Sequence, residues 1–336
     1  MKFAVVGAGA IGGFLGVKLA RAGESVTCIA RGANLNAIRS AGLKLILEDG
    51  SEEIAGEVRA FEHTAQAGPQ DVILLAVKAH QVAAVAPQLA AMCHAGTSIV
   101  TLQNGIPWWY FHRFGGELDG RPVVSADPDG TIAMHIDPNR LIGAVVYPAS
   151  ELIAPGVIRV VEGNRFTLGE LDGSASARIE AIAASLVKGG LKAPISNDIR
   201  SEIWLKLWGN LSFNPISALT HATLVEICQF PLTRSLAAAM MTEAQAVAEK
   251  LGVTFRVSLE KRIAGAERVG AHKTSMLQDV EQGKAIEIEA LVGSVAELGR
   301  MTGTPTPTIG TVYACASLLA RTLASRQGRL QVERMD

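Results

Sequence analysis

Residues 3–22 read FAVVGAGAIGGFLGVKLARA, and this stretch decides the fold. Phe3–Val6 is a short apolar run of the strand type. Gly7-Ala8-Gly9-Ala10-Ile11-Gly12 follows it without a gap and opens a helix that runs to about Ala22. A G-x-G-x-x-G turn between a strand and a helix is built to bind a dinucleotide. Its first glycine permits the tight turn, the second lets the backbone approach a pyrophosphate, and the third lets helix and strand pack closely. Gly23 and a second strand, Ser25–Ala30, complete the opening unit. Lys2 and the apolar residues after it also have the outline of a secretion signal, but glycines at 7, 9, 12, 13 and 16 weaken a helical apolar core. Gly7, Ala8, Gly9, Ala10, Ile11 and Gly12 are therefore cofactor-binding candidates.

The end of the second strand selects the cofactor. An Asp or Glu there would hydrogen-bond the adenosine ribose hydroxyls and favour NAD, whereas this chain carries Arg31. A guanidinium pairs with a 2'-phosphate and stacks on adenine, so NADP, as NADPH, is expected; the plainer alternative is a surface arginine at a strand end. Leu43–Leu47 and Ile54–Phe61 flank an Asp49-Gly50 turn and read as an added hairpin. The parallel pattern then resumes with a strand Asp71–Val77 ending in Lys78, a helix from about His80 to Met92, and a strand Ser98–Leu102 ending in Gln103-Asn104-Gly105. Ligands of an open α/β sheet bind outside the carboxyl ends of its strands, which adds Lys78 and Asn104 to the cofactor candidates. Further strands are expected near Val123–Met134 and Leu141–Val146, then at Val157–Val161 and Phe166–Leu168, before a helix from about Ala175 to Leu186.

Beyond Leu191 no strand pattern survives, so an α/β Rossmann domain (residues 1–190) is followed by an all-α C-terminal domain (191–330). Residues 199–220, IRSEIWLKLWGNLSFNPISALT, read as a helix with one polar stripe, Glu202, Lys206, Asn210 and Asn214. Steps of four residues advance about 40° beyond a full turn, so these side chains stack along one face. The rest is bulk: Ile199, Ile203, Leu207 and Leu211 form a row, and Trp204, Leu205, Trp208 and Phe213 cover most of the remainder. Such a helix is buried nearly all round, and a lysine in it needs a reason. One reading is a solvated face with a weak Glu202–Lys206 pair. Against it, two asparagines and Pro215 spend helix propensity on polar groups and a kink. A lysine followed by amides suits holding and protonating a carbonyl oxygen. Ser196, Asn197 and Asp198 offer caps, and helices follow at about Leu232–Leu251, Leu259–Ala266, Ile286–Thr302 and Ile309–Ser325, with Glu287 at a helix start. The four tryptophans lie on this helix or just after Asn104, which fits either an aromatic wall between domains or plain packing.

The chain is 336 residues long, 49% hydrophobic, with a net charge of −1. That is enough for two cores and offers no basic field for nucleic acid or an anionic membrane. The longest apolar runs, such as Val72–Val77, are too short to span a bilayer. Cys28, Cys93, Cys228 and Cys315 are too scattered for a metal site or an evident disulfide framework, so a cytoplasmic protein is expected.

GAGAIGG at 7–13, Arg31, VKAHQ at 77–81, QNG at 103–105, EIWLKLWGNLSFNPISALT at 202–220, and KTSMLQD at 273–279 before IEIEA together resemble the ketopantoate (2-dehydropantoate) reductases from end to end. The resemblance implies NADPH-dependent reduction of 2-dehydropantoate to pantoate, in pantothenate and coenzyme A synthesis. It also implies a C-terminal domain of the 6-phosphogluconate dehydrogenase type and an active site between the domains. Position by position it makes Lys206 the proton donor and Glu287 its catalytic companion at the substrate hydroxyl. Asn104, Asn210, Asn214 and Ser275 become substrate-binding, and Lys78, Gln81 and Asn104 join the cofactor set. The partner is then a small 2-oxo acid, and a homodimer is one oligomeric state left open. The segment from Trp108 to Asn139 is longer and more aromatic than the family pattern, which keeps another 2-oxo acid in view as substrate. A 3-hydroxyacid dehydrogenase of the 6-phosphogluconate dehydrogenase type also pairs lysine with asparagine, but its D-A-P-V-S-G-G loop is poorly matched by Ser125-Ala126-Asp127-Pro128-Asp129-Gly130. A silent NADP-binding sensor would keep the glycine loop without needing lysine, asparagines, serine and glutamate together.

Overall fold

The structure is a computed structural model that describes residues 1–332. It opens with β1 (Lys2–Val6), α1 (Ala10–Arg21), β2 (Ser25–Ile29) and α2 (Gly32–Ala41). The chain continues through β3 (Leu43–Ile46), β4 (Glu52–Ala55), β5 (Arg59–Phe61), β6 (Val72–Leu75), α3 (Val82–Leu89), β7 (Ser98–Thr101) and the short α4 (Thr131–His135). Next come β8 (Leu141–Val146), β9 (Ala149–Ala154), β10 (Val157–Glu162), β11 (Phe166–Gly169) and α5 (Ala177–Lys188). The remainder is helical: α6 (Ile199–Thr220), α7 (Leu224–Gln229), α8 (Pro231–Lys250), α9 (Leu259–Val269), α10 (Ser275–Glu281), α11 (Ser294–Met301) and α12 (Pro307–Arg326). Two compact units result. One holds residues 1–103, 108–122 and 127–202; the other holds 104–107, 123–126 and, among the described residues, 203–332. Among the described residues no helix is long and apolar enough to cross a membrane.

The first unit is a seven-stranded sheet in the order β5-β2-β1-β6-β7-β8-β11. Its strands run parallel except β11, which is antiparallel to β8. β6, β7 and β8 are buried along their whole length, as strands in a sheet covered on both faces should be. Strand order reverses between β1 and β6, which sets the switch point of a doubly wound sheet beside the glycine turn. A second sheet, β4-β3-β10-β9, packs against α1.

Several local expectations need correction. Ile54–Phe61 is two strands, because β4 closes the hairpin with β3 while β5 pairs with β2 as the outer strand of the main sheet. No strand forms over 123–134; Gly130, at φ +67°, precedes α4, and the Asp127 carboxylate accepts the Ile132 and Ala133 amides at 3.0 and 2.9 Å. α2, β9, α7 and α10 also form where the periodic pattern is too short to register.

The second unit is all-helical. Within it the indole of Trp208 lies 4.4 Å from the Phe255 ring and donates to the Met241 carbonyl at 2.7 Å. In the first unit Trp109 donates to Thr101 Oγ1 at 3.2 Å. Both tryptophans are thus committed to their own core, which supports packing over an aromatic wall. α6 runs unbroken through Pro215, and Asp198 accepts the Ser201 amide at 3.0 Å at its start.

Candidate active site

The polar stripe of α6 carries the site. Lys206 Nζ donates to Asn104 Oδ1 at 2.6 Å, both residues belonging to the helical unit. Lys206 is half-buried, and burial pushes its amine down to about 8. The negative charge of Glu287 works against that shift. Asn210, part-buried, follows on the same face. Asn214, one turn further, is buried and donates from Nδ2 to Ser275 Oγ at 3.4 Å. Ser275 itself is exposed as the first residue of α10, whose Thr274 cap accepts the Leu277 amide at 3.2 Å.

Glu287 precedes a helical segment that departs from α geometry. Its carbonyl accepts the Leu291 amide at 3.2 Å, and Glu289–Gly293 then forms a π-helical turn leading into α11. The sequence pattern of one continuous helix over Ile286–Thr302 does not show this irregularity. Glu202 does not pair with Lys206 on a solvated face but is held within the first unit: Tyr147 Oη donates to it at 3.0 Å and Arg165 Nη2 lies 3.5 Å away. The stripe is therefore divided, with Glu202 engaged elsewhere and Lys206 under the influence of Glu287.

Apart from Asn104, the cofactor candidates lie in the first unit. Gly7 adopts φ +97°, and a Cβ there would stand 2.8 Å from the Val77 side chain at the end of β6, so only glycine permits this closeness at the switch point. A Cβ on Gly12 would meet the Gly7 carbonyl oxygen at 2.1 Å, whereas a Cβ on Gly9 would meet nothing within 4 Å. The first and third glycines thus serve the fold, and the second leaves an open face for a phosphate before the N-terminus of α1. Arg31 is exposed at the end of β2, directly before α2. These residues fit an NADP adenosine and pyrophosphate. Gln81 is used locally: its Oε1 accepts the Lys78 amide at 3.1 Å, shaping the turn after β6.

Other contributors escape sequence reasoning. Asn34 donates from Nδ2 to the Ala8 carbonyl and accepts from the Gly156 amide, both at 2.7 Å, and so fixes the glycine turn. Arg200, in the first turn of α6, donates to the carbonyls of Tyr110, Leu171 and His112 at 2.7, 2.6 and 2.6 Å, which organises the aromatic segment. Glu297, buried in the helical unit, accepts the Val124 and Ser125 amides at 2.8 and 2.7 Å. Each pairing joins residues far apart in the chain, and no local motif announces it.

Known proteins resemble this chain along nearly its whole length. Residues 3–173 match the family model "Ketopantoate reductase PanE/ApbA", and residues 198–320 match "Ketopantoate reductase PanE/ApbA C terminal". The chain is 54% identical over 329 residues to a 2-dehydropantoate 2-reductase of Mesorhizobium japonicum, covering 98% of this chain and 99% of that one. A Ralstonia solanacearum MolK2 crystal structure assigned as a ketopantoate reductase superposes with a TM-score of 0.90 at 42% identity, covering 96% of this chain and 98% of that one. The 2-dehydropantoate 2-reductase of Geobacter metallireducens superposes with a TM-score of 0.82 at 26% identity, covering 96% and 99%. With both domain models matched in order and a full-length relative above half identity, the chain belongs to the ketopantoate reductase family.

Proposed function

We propose that this protein reduces 2-dehydropantoate to pantoate with NADPH, a step of pantothenate and coenzyme A biosynthesis, in the cytoplasm. The near-complete match to the Mesorhizobium enzyme carries the substrate, and the Lys206–Asn104 pair supports the chemistry. The unit built on the seven-stranded sheet is the NADP-binding domain, and the helical unit is the catalytic domain. Gly7 to Gly12, Arg31, Lys78, Gln81 and Asn104 hold the cofactor, which when bound supplies the hydride.

Lys206 acts as general acid. Negative charge grows on the substrate carbonyl oxygen as its carbon is reduced, and an enclosed ammonium neutralises that charge by giving up its proton. Asn104 Oδ1 orients the ammonium without adding a charge that would hold the proton back. The charge of Glu287 favours the ammonium and helps keep the amine protonated in the neutral range, and its carboxylate is the group assigned to the substrate hydroxyl. Asn210, Asn214 and Ser275 hold the substrate.

Initial rates of NADPH oxidation with 2-dehydropantoate and a set of bulkier 2-oxo acids test this. The highest kcat/KM is expected with 2-dehydropantoate. A clearly higher value with another 2-oxo acid would reassign the substrate, and NADPH binding without turnover of any of them would favour a sensor.

A further inference from the structure

The π-helical turn Glu289–Gly293 follows Glu287 directly, and its hydrogen bonds lead to Asn104. In a regular α-helix the Ser294 amide would bond the Ala290 carbonyl four residues back. Here it bonds the Glu289 carbonyl instead, five residues back. The Ala290 carbonyl oxygen is thereby released from the helix and accepts two other donors: the Ile106 amide at 3.0 Å and the Ser294 hydroxyl at 2.7 Å. Both lone pairs of that oxygen are used, and Ser294 is fully buried. Gly105 makes the approach possible. It adopts φ +91°, and a Cβ on it would stand 2.1 Å from the Ala290 oxygen and 2.5 Å from its carbonyl carbon, which no side chain allows.

Asn104 is the neighbour of Gly105 on one side of this junction, and Glu287 lies three residues before Ala290 on the other. Asn104 takes the Lys206 proton donor at 2.6 Å, and Glu287 supplies the charge that acts on it. We infer that the π-turn is the positioning device of the active site: by freeing the Ala290 carbonyl to hold the Asn104-Gly105-Ile106 loop, it fixes Asn104 and Glu287 together around Lys206. Gly105 and Ser294 are then positioning residues, acting through Asn104 and Glu287. π-turns are commonly found at functional sites, and this one has a definite task. The inference rests on the reading of Lys206 as proton donor.

A double-mutant cycle in the full-length enzyme separates positioning from general structural support. Gly105→Ala should lower kcat with 2-dehydropantoate and NADPH by about tenfold or more, since near-attack geometry is lost with small displacements. In an Asn104→Ala background the same replacement should cost less than about twofold, because its route of action is already gone. Ser294→Ala, which removes only the hydroxyl, should show the same non-additivity with a smaller loss. In the cofactor-free protein, NMR titration of the Lys206 Cε signal should move to lower pH in both variants, because Asn104 and Glu287 are no longer held where they favour the ammonium. Additive losses in both cycles, or an unmoved Lys206 titration, overturn the inference. Should Gly105→Ala fail to fold, the Ser294→Ala cycle alone decides on the same criteria. Lys206→Ala serves as the control for the parent reading. Retained kcat there removes that reading and this inference with it, whereas a lost kcat with additive cycles removes only this inference.

Discussion

Reduction should slow as pH rises through about 8, because only the ammonium form of Lys206 can give a proton to the carbonyl oxygen, and burial pushes this amine down to about 8. One unit above that point roughly a tenth of the enzyme carries the proton, so kcat/KM falls about tenfold per further unit. Oxidation of pantoate needs the neutral amine and should rise over the same interval. Stability moves with the same group. The folded pKa lies below the unfolded value of ~10.4, so between about 8 and ~10.4 the unfolded chain binds the extra proton and stability rises with pH. Below that window both states are protonated and the whole cost of enclosing the charge remains. At about 1.36 kcal/mol per unit this cost is ~3 kcal/mol as an upper bound. Partial exposure of the side chain and the bond to Asn104 reduce the expected gain of Lys206→Met to ~1 kcal/mol. That variant should therefore unfold at a higher urea concentration near neutral pH while its kcat drops by ~10² to 10⁴. Rates in both directions from about pH 6 to about pH 10, with urea unfolding of both proteins, measure this. A forward profile that stays flat across the range, or a variant that unfolds more easily and keeps its kcat, would refute the reasoning.

Other perturbations test neighbouring parts. Glu287→Gln removes the charge that favours the ammonium, so the descending limb of the forward profile should move to lower pH; a limb that stays in place or moves up would remove Glu287 from the electrostatics. Arg31→Ala should weaken NADPH binding by about tenfold or more, at ~1.5 to 3 kcal/mol for a charged hydrogen bond, and leave NADH nearly unchanged in a fluorescence titration. Equal losses for the two cofactors would return Arg31 to an ordinary surface residue. Arg200→Met strips the donors from three carbonyls and should lower unfolding stability by ~3 kcal/mol or more, read from the urea midpoint.

Much of the fold was legible because its signals are local. The glycine turn sits between a strand and a helix, the β6 strand is an unbroken apolar run, and α6 spans the same residues, 199–220, that the polar stripe marks out. The stripe also brought Lys206 forward, since a lysine and two asparagines among tryptophans and leucines conflict with helix propensity and with burial at once. Illegible features depend on contacts between distant residues. β5 reads as part of a hairpin because its partner, β2, lies some thirty residues earlier. Asn34 looks like any helix residue until its amide is seen on the Ala8 carbonyl. Gly105 reads as a turn glycine, whereas its conformation is needed for contact with Ala290, almost two hundred residues on. The π-turn itself leaves no mark on an apolar pattern that continues through it.

Glu202 offers the sharpest test of how Lys206 is kept in balance. It precedes Lys206 by one helical turn, and a carboxylate at that spacing ordinarily favours a lysine ammonium. In this structure its carboxylate is engaged by Tyr147 at 3.0 Å and by Arg165 at 3.5 Å, and the charge that acts on Lys206 is that of Glu287. Replacing Arg165 by Gln loosens that hold. A carboxylate freed in this way gains by turning along the helix toward the ammonium, which raises the Lys206 pKa because an opposite charge favours the charged form. The forward limb should then move to higher pH, while kcat falls modestly because a better-stabilised ammonium is a weaker acid. Arg165→Gln combined with Glu202→Gln should restore the original limb, since no free carboxylate remains to act. A single Arg165→Gln variant whose limb is unchanged, or a shift that survives the second substitution, would show that Glu202 has no part in setting the proton affinity of Lys206.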